Sequence, residues 1–208
     1  MVCSIKMVQR CVPILLLMVI LGIPFSTCLA AHPVKMRPYS GIGVALLPGA
    51  VSGHGASPPL HLYREPGLIR LGTATVAALP GNEWIFGKQA DQILLIVMAR
   101  KGNWLKVCYD DAGREAWINT HGKDYFQPWD VFLKSRFSRM LPGLRKQYYQ
   151  LYQLPEQNPG AALTPKQPFR VLRLERDWVM VLPDQATIGW LRWRDEDGRL
   201  TIGLDYKN

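Results

Sequence analysis

The sequence has few cysteines and comparatively few acidic residues, and each shortage narrows the class of protein. Three of the four cysteines, Cys3, Cys11 and Cys28, lie in the N-terminal segment 1–30, so the rest of the chain contains Cys108 alone. A single cysteine cannot close an internal disulfide, which excludes a disulfide-framework protein. Lys and Arg together number 25, against 16 Asp and Glu. This basic balance favours an anionic partner or surface.

The motifs of the common enzyme chemistries are also missing. The sequence has no Gly-x-Ser-x-Gly nucleophile motif and no Walker loop, and no two of its four histidines lie three or four positions apart, the spacing of a helical metal site. The turn at 195–198 begins like a calcium loop, but Arg199 stands where a further ligand is needed. The sequence therefore predicts no bound metal, no cofactor and no enzyme activity.

The N-terminal segment, 1–30, has the pattern of a secretory signal peptide. Lys6 and Arg10 precede an apolar run at 12–25, and small residues lead up to Ala30. The run is shorter than the roughly 20 residues that span a bilayer. We therefore expect 1–30 to be removed on export to the periplasm or beyond, and the loss of Lys6 and Arg10 changes the net charge from +9 to +7. Lipid attachment at Cys28 is the alternative, because 25–28 resembles a lipoprotein acylation motif.

The segment 31–58 differs in composition from the chain that follows it. Gly, Pro and Ser recur around one apolar patch at 42–47, and little charge follows Arg37. This composition predicts a flexible leader that contains one strand at most.

Short strands and tight turns alternate in the next segment, 59–121. Six apolar residues, Ile93 to Met98, predict a buried strand. A Gly102-Asn103 turn leads to a strand that begins at Trp104, and a turn near Gly113 leads to one that contains Trp117. These signals predict an antiparallel meander, in which 68–91 is a long loop between the first two strands.

The meander recurs in 147–208, and such internal similarity indicates a repeated structural unit. The spacing between Trp104 and Trp117 is repeated, to within one position, between Trp178 and Trp190. The openings of the two copies also match, since Leu62-Tyr63 with Pro66 is echoed by Leu151-Tyr152 with Pro155. The stretch 148–152 fits either a helix end or a strand, and periodicity does not decide between them.

Between the copies, 122–146 predicts a basic amphipathic helical connector. Apolar residues from Trp129 to Leu144 recur at steps of three and four, which is helical spacing. The other face of this helix carries a set of basic residues: Lys134, Arg136, Arg139, Arg145 and Lys146. Such a helix packs its apolar face on the barrels, and its basic face suits an anionic surface of phospholipid or wall polymer.

The two copies resemble the bacterial SH3-like (SH3b) domains. The pattern is carried by Tyr63, Ile96, Trp104, Leu105, Val107, Trp117 and Ile118, and again by Trp178, Val179, Val181, Gly189, Trp190 and Leu191. The resemblance implies a mainly β fold of two small five-stranded barrels, 59–121 and 147–208, joined by the connector. It also implies an exported protein that binds cell-wall peptide or acts as an accessory module.

Strand alternation predicts which aromatic residues face outward. If Leu105 and Val107 point into the barrel, Trp104 points away from it, and Trp178 does the same in the second copy. Outward aromatic rings suit a stacked peptide or glycan chain. The sequence thus predicts a non-enzymatic module that binds peptide, peptidoglycan or a protein partner through five residues: Tyr63, Trp104, Trp117, Trp178 and Trp190.

Two alternatives remain open at this point. One is a cell-wall cysteine hydrolase that uses Cys108 with His121. The other is a purely structural accessory subunit whose aromatic faces are consumed by packing. A nucleic-acid partner is not expected, because a signal peptide directs the chain away from nucleic acid.

Overall fold

The chain forms two antiparallel sheets with few helical residues. The computed structural model describes residues 36–49, 59–89, 91–183 and 187–205. The first sheet contains β1 (Gly43–Pro48), β2 (Leu60–Glu65), β3 (Leu68–Ala74), β4 (Gln92–Lys101), β5 (Trp104–Cys108), β6 (Glu115–Asn119) and β7 (Phe126–Pro128). The second contains β8 (Phe137–Met140), β9 (Gln150–Leu154), β10 (Gln157–Ala162), β11 (Phe169–Glu175), β12 (Trp178–Leu182), β13 (Gly189–Arg192) and β14 (Ile202–Leu204). The mainly β fold predicted from the sequence is confirmed.

Two short α-helices and two 3-10 turns lie between these strands. The helices are α1 (Glu83–Phe86) and α2 (Trp129–Lys134), and the 3-10 turns are Val76–Ala78 and Lys146–Tyr149. In the part of the chain that the structure describes, no helix is long and apolar enough to cross a membrane. The predicted signal peptide, 1–30, lies outside the described residues.

The two sheets have the same connectivity. Their strand orders are β3-β2-β6-β5-β4-β1-β7 and β10-β9-β13-β12-β11-β8-β14, so each strand of the first has its counterpart seven strands later. The aromatic positions correspond as well, because Tyr63 pairs with Trp117 across β2 and β6, and Tyr152 pairs with Trp190 across β9 and β13. Any site on one sheet therefore has an equivalent place on the other.

The sheets extend beyond the boundaries that the sequence predicted. Strand β1 lies inside the predicted flexible leader, 31–58, yet it is hydrogen-bonded between β4 and β7. Val44 and Ala45 on it are fully buried, which explains why the apolar patch forms a central strand. The predicted loop at 68–91 is also wrong in part, because it contains β3 and α1.

The predicted helical connector, 122–146, is wrong in its extent. Helix α2 ends at Lys134, and the chain continues as β8 from Phe137. The apolar residues at steps of three and four belong to two consecutive elements: α2 buries Trp129, Phe132 and Leu133, and β8 buries Met140. The open question at 148–152 is also answered, since a 3-10 turn ends at Tyr149 and β9 begins at Gln150.

Strand β4 is buried on both faces, because it separates two apolar cores. Leu95 and Val97 point into a cluster formed by the first sheet and the 3-10 turn that follows β3. Leu94 and Ile96 point the other way, into a larger cluster that includes residues of both sheets. This confirms the buried strand predicted from the Ile93–Met98 run and explains why its apolar residues do not alternate with polar ones.

Aromatic side chains occupy the shared core. Helix α1 supplies Phe86, whose ring lies 6.3 Å from that of Trp129 and 5.8 Å from that of Phe132 on α2. The Trp129 ring centroid lies 5.5 Å from that of Trp193, which directly follows β13. The described residues from Arg37 onward accordingly form one compact unit.

Polar contacts also join the segment before β1 to residues from α2 onward. Arg37, which precedes β1, donates to the buried carboxylate of Asp195 at 2.6 Å and to the Leu200 carbonyl at 3.0 Å. The Trp129 indole donates to the Ser40 carbonyl at 2.7 Å. Because both partners of the Arg37–Asp195 pair are charged, this hydrogen bond is stronger than one between neutral groups.

We predict that Phe86→Ala destabilises both sheets together. The Phe86 side chain is 1% exposed in the shared core, and Phe→Ala changes at such sites cost about 3–5 kcal/mol. Guanidinium unfolding followed by circular dichroism should show one transition at a lower midpoint. Val131→Ala, at a residue 50% exposed on α2, should change the free energy of unfolding by less than about 0.5 kcal/mol. Two separate transitions would contradict a shared core.

Candidate aromatic binding face

Three of the predicted site residues lie on one face of the first sheet. Tyr63 on β2 is directly opposite Trp117 on β6, and Trp117 is directly opposite Lys106 on β5. Residues opposite one another across antiparallel strands point to the same side of the sheet. Trp104 is on the same side as Lys106, because the two are separated by one residue along β5. All four side chains are half-buried, whereas the intervening Leu105 and Val107 are buried.

The Tyr63 and Trp104 rings pack edge to face. Their centroids are 5.2 Å apart and their planes meet at 88°, a geometry that the ring quadrupoles favour. The Pro66-Gly67 turn between β2 and β3 passes beside the indole, since a Cβ built on Gly67 would lie 3.9 Å from Trp104 Cζ2. Gly67 has a φ of 73°, which is favourable for glycine and unfavourable for most other residues. The aromatic pair is thereby held before any ligand arrives.

Charged groups border this aromatic face. Lys106 Nζ lies 2.6 Å from Glu115 Oε2, with both side chains about one third exposed. An ion pair at the surface contributes little stability, so either group remains able to bind a ligand instead. The face combines aromatic rings with one cation and one carboxylate, which suits a chain that has both apolar and polar groups.

The second sheet repeats the aromatic arrangement but covers it. Tyr152 and Trp178 also pack edge to face, with centroids 5.3 Å apart and planes at 84°. However, Trp178 is only 9% exposed and Trp190 only 5%. Trp178 lies on the face predicted from alternation, but its predicted accessibility is wrong, and the predicted Trp190 site is buried.

Arg192 is one of the groups that cover the second aromatic face. It lies opposite Trp178 in the register of β12 and β13, and its guanidinium is 5.7 Å from the centroid of the indole. Glu196 holds Arg192 at 2.7 Å through Oε1, and its Oε2 accepts a hydrogen bond from Tyr148 at 2.5 Å. The residue opposite Trp104 in the first sheet is Asn119, which is shorter and uncharged. The sequence analysis did not predict this difference. It is visible in the sequence two places after each tryptophan, as Asn119 after Trp117 and Arg192 after Trp190.

The Tyr148–Glu196 hydrogen bond changes the pKa values of both side chains. Burial raises the pKa of Tyr148, and the hydrogen bond to Glu196 raises it further. The same bond lowers the pKa of Glu196. Glu196 therefore stays ionised at neutral pH and keeps Arg192 in place over Trp178.

Cys108 does not have the surroundings of a catalytic thiol. Burial raises the pKa of Cys108, and the carboxylates of Glu115 and Asp110 raise it further, against the opposing effect of Lys106. At one end of the β5–β6 hairpin Cys108 pairs with Glu115. At the other end Trp104 pairs with Asn119, and His121 lies two residues beyond Asn119. The two residues therefore lie at opposite ends of the β5–β6 hairpin, separated by at least four positions or roughly 13 Å. The geometry excludes the alternative in which Cys108 and His121 act as a catalytic pair.

The predicted basic helical face is not formed. Lys134 is on α2, Arg139 is on β8 and 6% exposed, and Arg145 precedes a 3-10 turn that begins at Lys146. Arg136 lies over the Phe132 ring at 4.5 Å, and burial lowers its pKa. These five basic residues belong to several elements, and Arg139 is buried, so they do not form one helical face. Among the residues described, no three His, Cys, Asp or Glu side chains are grouped to hold a metal.

Comparison with known proteins does not assign a family. No family model and no curated protein matches the chain. Among solved structures, the chain is similar to one described as "Endolysin LysPBC5 CBD", at 17% identity over 82% of this chain and 99% of that one, with a TM-score of 0.24. A TM-score of this size does not establish a common fold.

We predict that the Cys108 thiol reacts slowly at neutral pH. Its raised pKa leaves less thiolate than an ordinary cysteine has, and the thiolate is the reactive form. Iodoacetamide labelling, followed by mass spectrometry, should be slower in the native protein than in the denatured protein at neutral pH. The labelling rate should continue to rise above the pH at which a free cysteine levels off. Equal native and denatured rates at neutral pH would contradict this account of the site.

Proposed function

We propose that the protein is an exported, non-enzymatic binding module built from two SH3-like units. Its first unit binds an extended peptide or glycan chain of a cell-wall polymer on the aromatic face of Tyr63, Trp104 and Trp117. Export rests on the signal-peptide pattern of 1–30, and the SH3-like unit rests on the resemblance of the two meanders.

The observation that carries the proposal is the difference between the two aromatic faces. Both sheets have a Tyr–Trp pair at the same place and in the same geometry. In the second sheet both tryptophans are buried, and Arg192 and Glu196 contribute to the cover. In the first sheet Trp104 and Trp117 stay half-buried. Apolar rings left partly in water are available to stack against a ligand.

The β2–β3 hairpin extends the apolar surface beside this face. Leu68 is 64% exposed and Ile69 is 61% exposed. Ile69 has a φ of 39°, in the left-handed region that a β-branched residue rarely adopts, whereas its counterpart in the second hairpin, Asn158, is suited to it. A strained and exposed apolar residue at this position supports a binding role for the hairpin.

The second unit supports a structural role. Its aromatic face is covered, and its core continues into the shared cluster with α1 and α2. The structural accessory role, one of the two alternatives, therefore fits this half of the molecule. In that role the second unit stabilises the first through the shared core. Binding is assigned to the first unit.

We predict that Trp104→Ala reduces the affinity for purified peptidoglycan at least 10-fold, or about 1.4 kcal/mol, because the variant removes the central stacking surface. A sedimentation assay measures this affinity, as the fraction of protein that sediments with increasing amounts of peptidoglycan. The matched control is Ile188→Ala, at an apolar residue that is 60% exposed and directly precedes β13, which should bind as the parent protein does. The melting temperature of each variant separates loss of binding from loss of fold.

The same assay at low and high salt distinguishes aromatic from electrostatic retention. Salt screens exposed charges over about 10 Å at 0.1 M and about 3 Å at 1 M. Retention that persists at high salt and is lost in Trp104→Ala supports the proposal. Retention that disappears with salt and is unchanged in Trp104→Ala would assign binding to the net positive charge and overturn the aromatic site.

A further inference from the structure

A cavity of about 460 Å³ opens on the first sheet at the end of β1. It is a different place from the aromatic face, because none of Tyr63, Trp104 and Trp117 borders it. Its lining consists of Leu46, Pro48, Asp91, Gln92, Asp124, Tyr125 and Gln127. Most of these residues are polar, and two of them are carboxylates.

Three adjacent strands form the floor of this cavity. Pro48 on β1 pairs with Gln92 on β4, and Gln127 on β7 pairs with Val44 on β1. Leu46, Pro48 and Val44 alternate along β1, so all of these residues point to one side of the sheet. They point to the side of the shared core, and the cavity lies at its margin.

The topology places the two carboxylates on either side of the opening. Strands β4 and β7 both run antiparallel to β1, so both begin beside the end of β1. Asp91 directly precedes β4, and Asp124 lies two residues before β7. The two aspartates therefore flank the segment from Leu46 to Pro48 from opposite sides.

The cavity presents several hydrogen-bond acceptors. Gln127 Oε1 is buried and has no hydrogen-bond partner among the described residues. A buried acceptor without a partner is costly, and a donor from a ligand removes that cost. Asp91 and Asp124 add carboxylate oxygens, which accept only. Asp124 has one ion pair, with Arg100 at 3.9 Å, and both side chains are too exposed for that pair to be strong.

We propose that this cavity binds a primary ammonium group on an aliphatic chain, such as a lysine side chain of a peptide. An ammonium supplies three donors and no acceptor, which matches the acceptors of Asp91, Asp124 and Gln127. The methylene groups pack against Leu46, Pro48 and the Tyr125 ring, as the apolar stems of lysines do at protein surfaces.

The equivalent place on the second sheet supports this assignment. Leu46 lies opposite Tyr125 in the first sheet, as its amide donates to the Tyr125 carbonyl at 2.8 Å. At the corresponding register of the second sheet, Arg139 lies opposite Gly203. There Arg139 donates to the Trp84 carbonyl at 3.0 Å, and a Cβ on Gly203 would collide with the Ile85 carbonyl. Helix α1 of the same chain thus occupies the second place, whereas the first is open to an external ligand.

Binding of Nα-acetyl-lysine amide, followed by two-dimensional NMR of the ¹⁵N-labelled protein, tests the proposal. We expect concentration-dependent shifts at the amides of Gln92, Tyr125 and Gln127. Nα-acetyl-norleucine amide has the aliphatic chain without the ammonium, and we expect no shifts with it. Equal shifts with both compounds would overturn the ammonium assignment.

Two variants change the charge of the cavity in opposite directions. Asp91→Asn with Asp124→Asn should weaken binding of the lysine compound at least 10-fold, and Gln92→Glu should tighten it several-fold. Asp197→Asn, at an exposed residue of the second sheet's last turn, is the matched control and should bind as the parent protein does. Unchanged affinity in both cavity variants would overturn the proposal, and the Gln92→Glu result stands if the double variant fails to fold.

The ammonium site and the aromatic face are separable. Trp104→Ala should leave the affinity for the lysine compound unchanged, because Trp104 does not line the cavity. Lysine-dependent shifts confined to the aromatic face, or lost in Trp104→Ala, would place the ligand on that face and overturn the cavity site.

Discussion

The apolar core that the two sheets share is the constraint on which the rest of the structure depends. Helix α1 arises from an insertion between β3 and β4 of the first sheet, yet its Ile85 and Phe86 are buried in the cluster that contains the core of the second. Helix α2 contributes Trp129 and Phe132 to the same cluster. Since β4 buries both of its faces, neither sheet retains its full core without the other. The two repeated meanders therefore form one body.

Two sheets of the same connectivity differ in which of their corresponding surfaces are exposed. Helix α1 covers the second sheet at the place where the first has an open cavity, and Arg139 and Gly203 are adapted to that contact. The second aromatic face is covered by its own residues, since Arg192 lies over Trp178 and Glu196 holds it. Both potential sites of the second unit are closed, and both remain open on the first. The repeated strand order gives each sheet the same two surfaces. The side chains and helix that pack on them determine which surfaces are accessible.

Much of the fold could be predicted from the sequence, because strands, turns and tryptophan spacing are local signals. The apolar run at Ile93–Met98 and the positions of Trp104 and Trp178 indicated the meanders directly. The prediction of a helical connector failed because helical spacing continued from α2 into β8, and both elements contribute apolar residues to the shared core. Alternation gave the face on which Trp178 lies, but its exposure depends on Arg192 across the sheet. The position of helix α1 and the cavity at the end of β1 depend on how distant strands pair, which no single segment of the sequence reveals.

Native-state hydrogen exchange tests the shared core most directly. Backbone amides of β4 in the first sheet and β12 in the second should have the same free energy of opening and the same dependence on denaturant concentration, because both are released only by global unfolding. The slowest amides of the two strands would then converge on one exchange curve. The account is contradicted if β12 amides exchange through a smaller opening while β4 amides remain protected, since the two sheets would then hold separate cores.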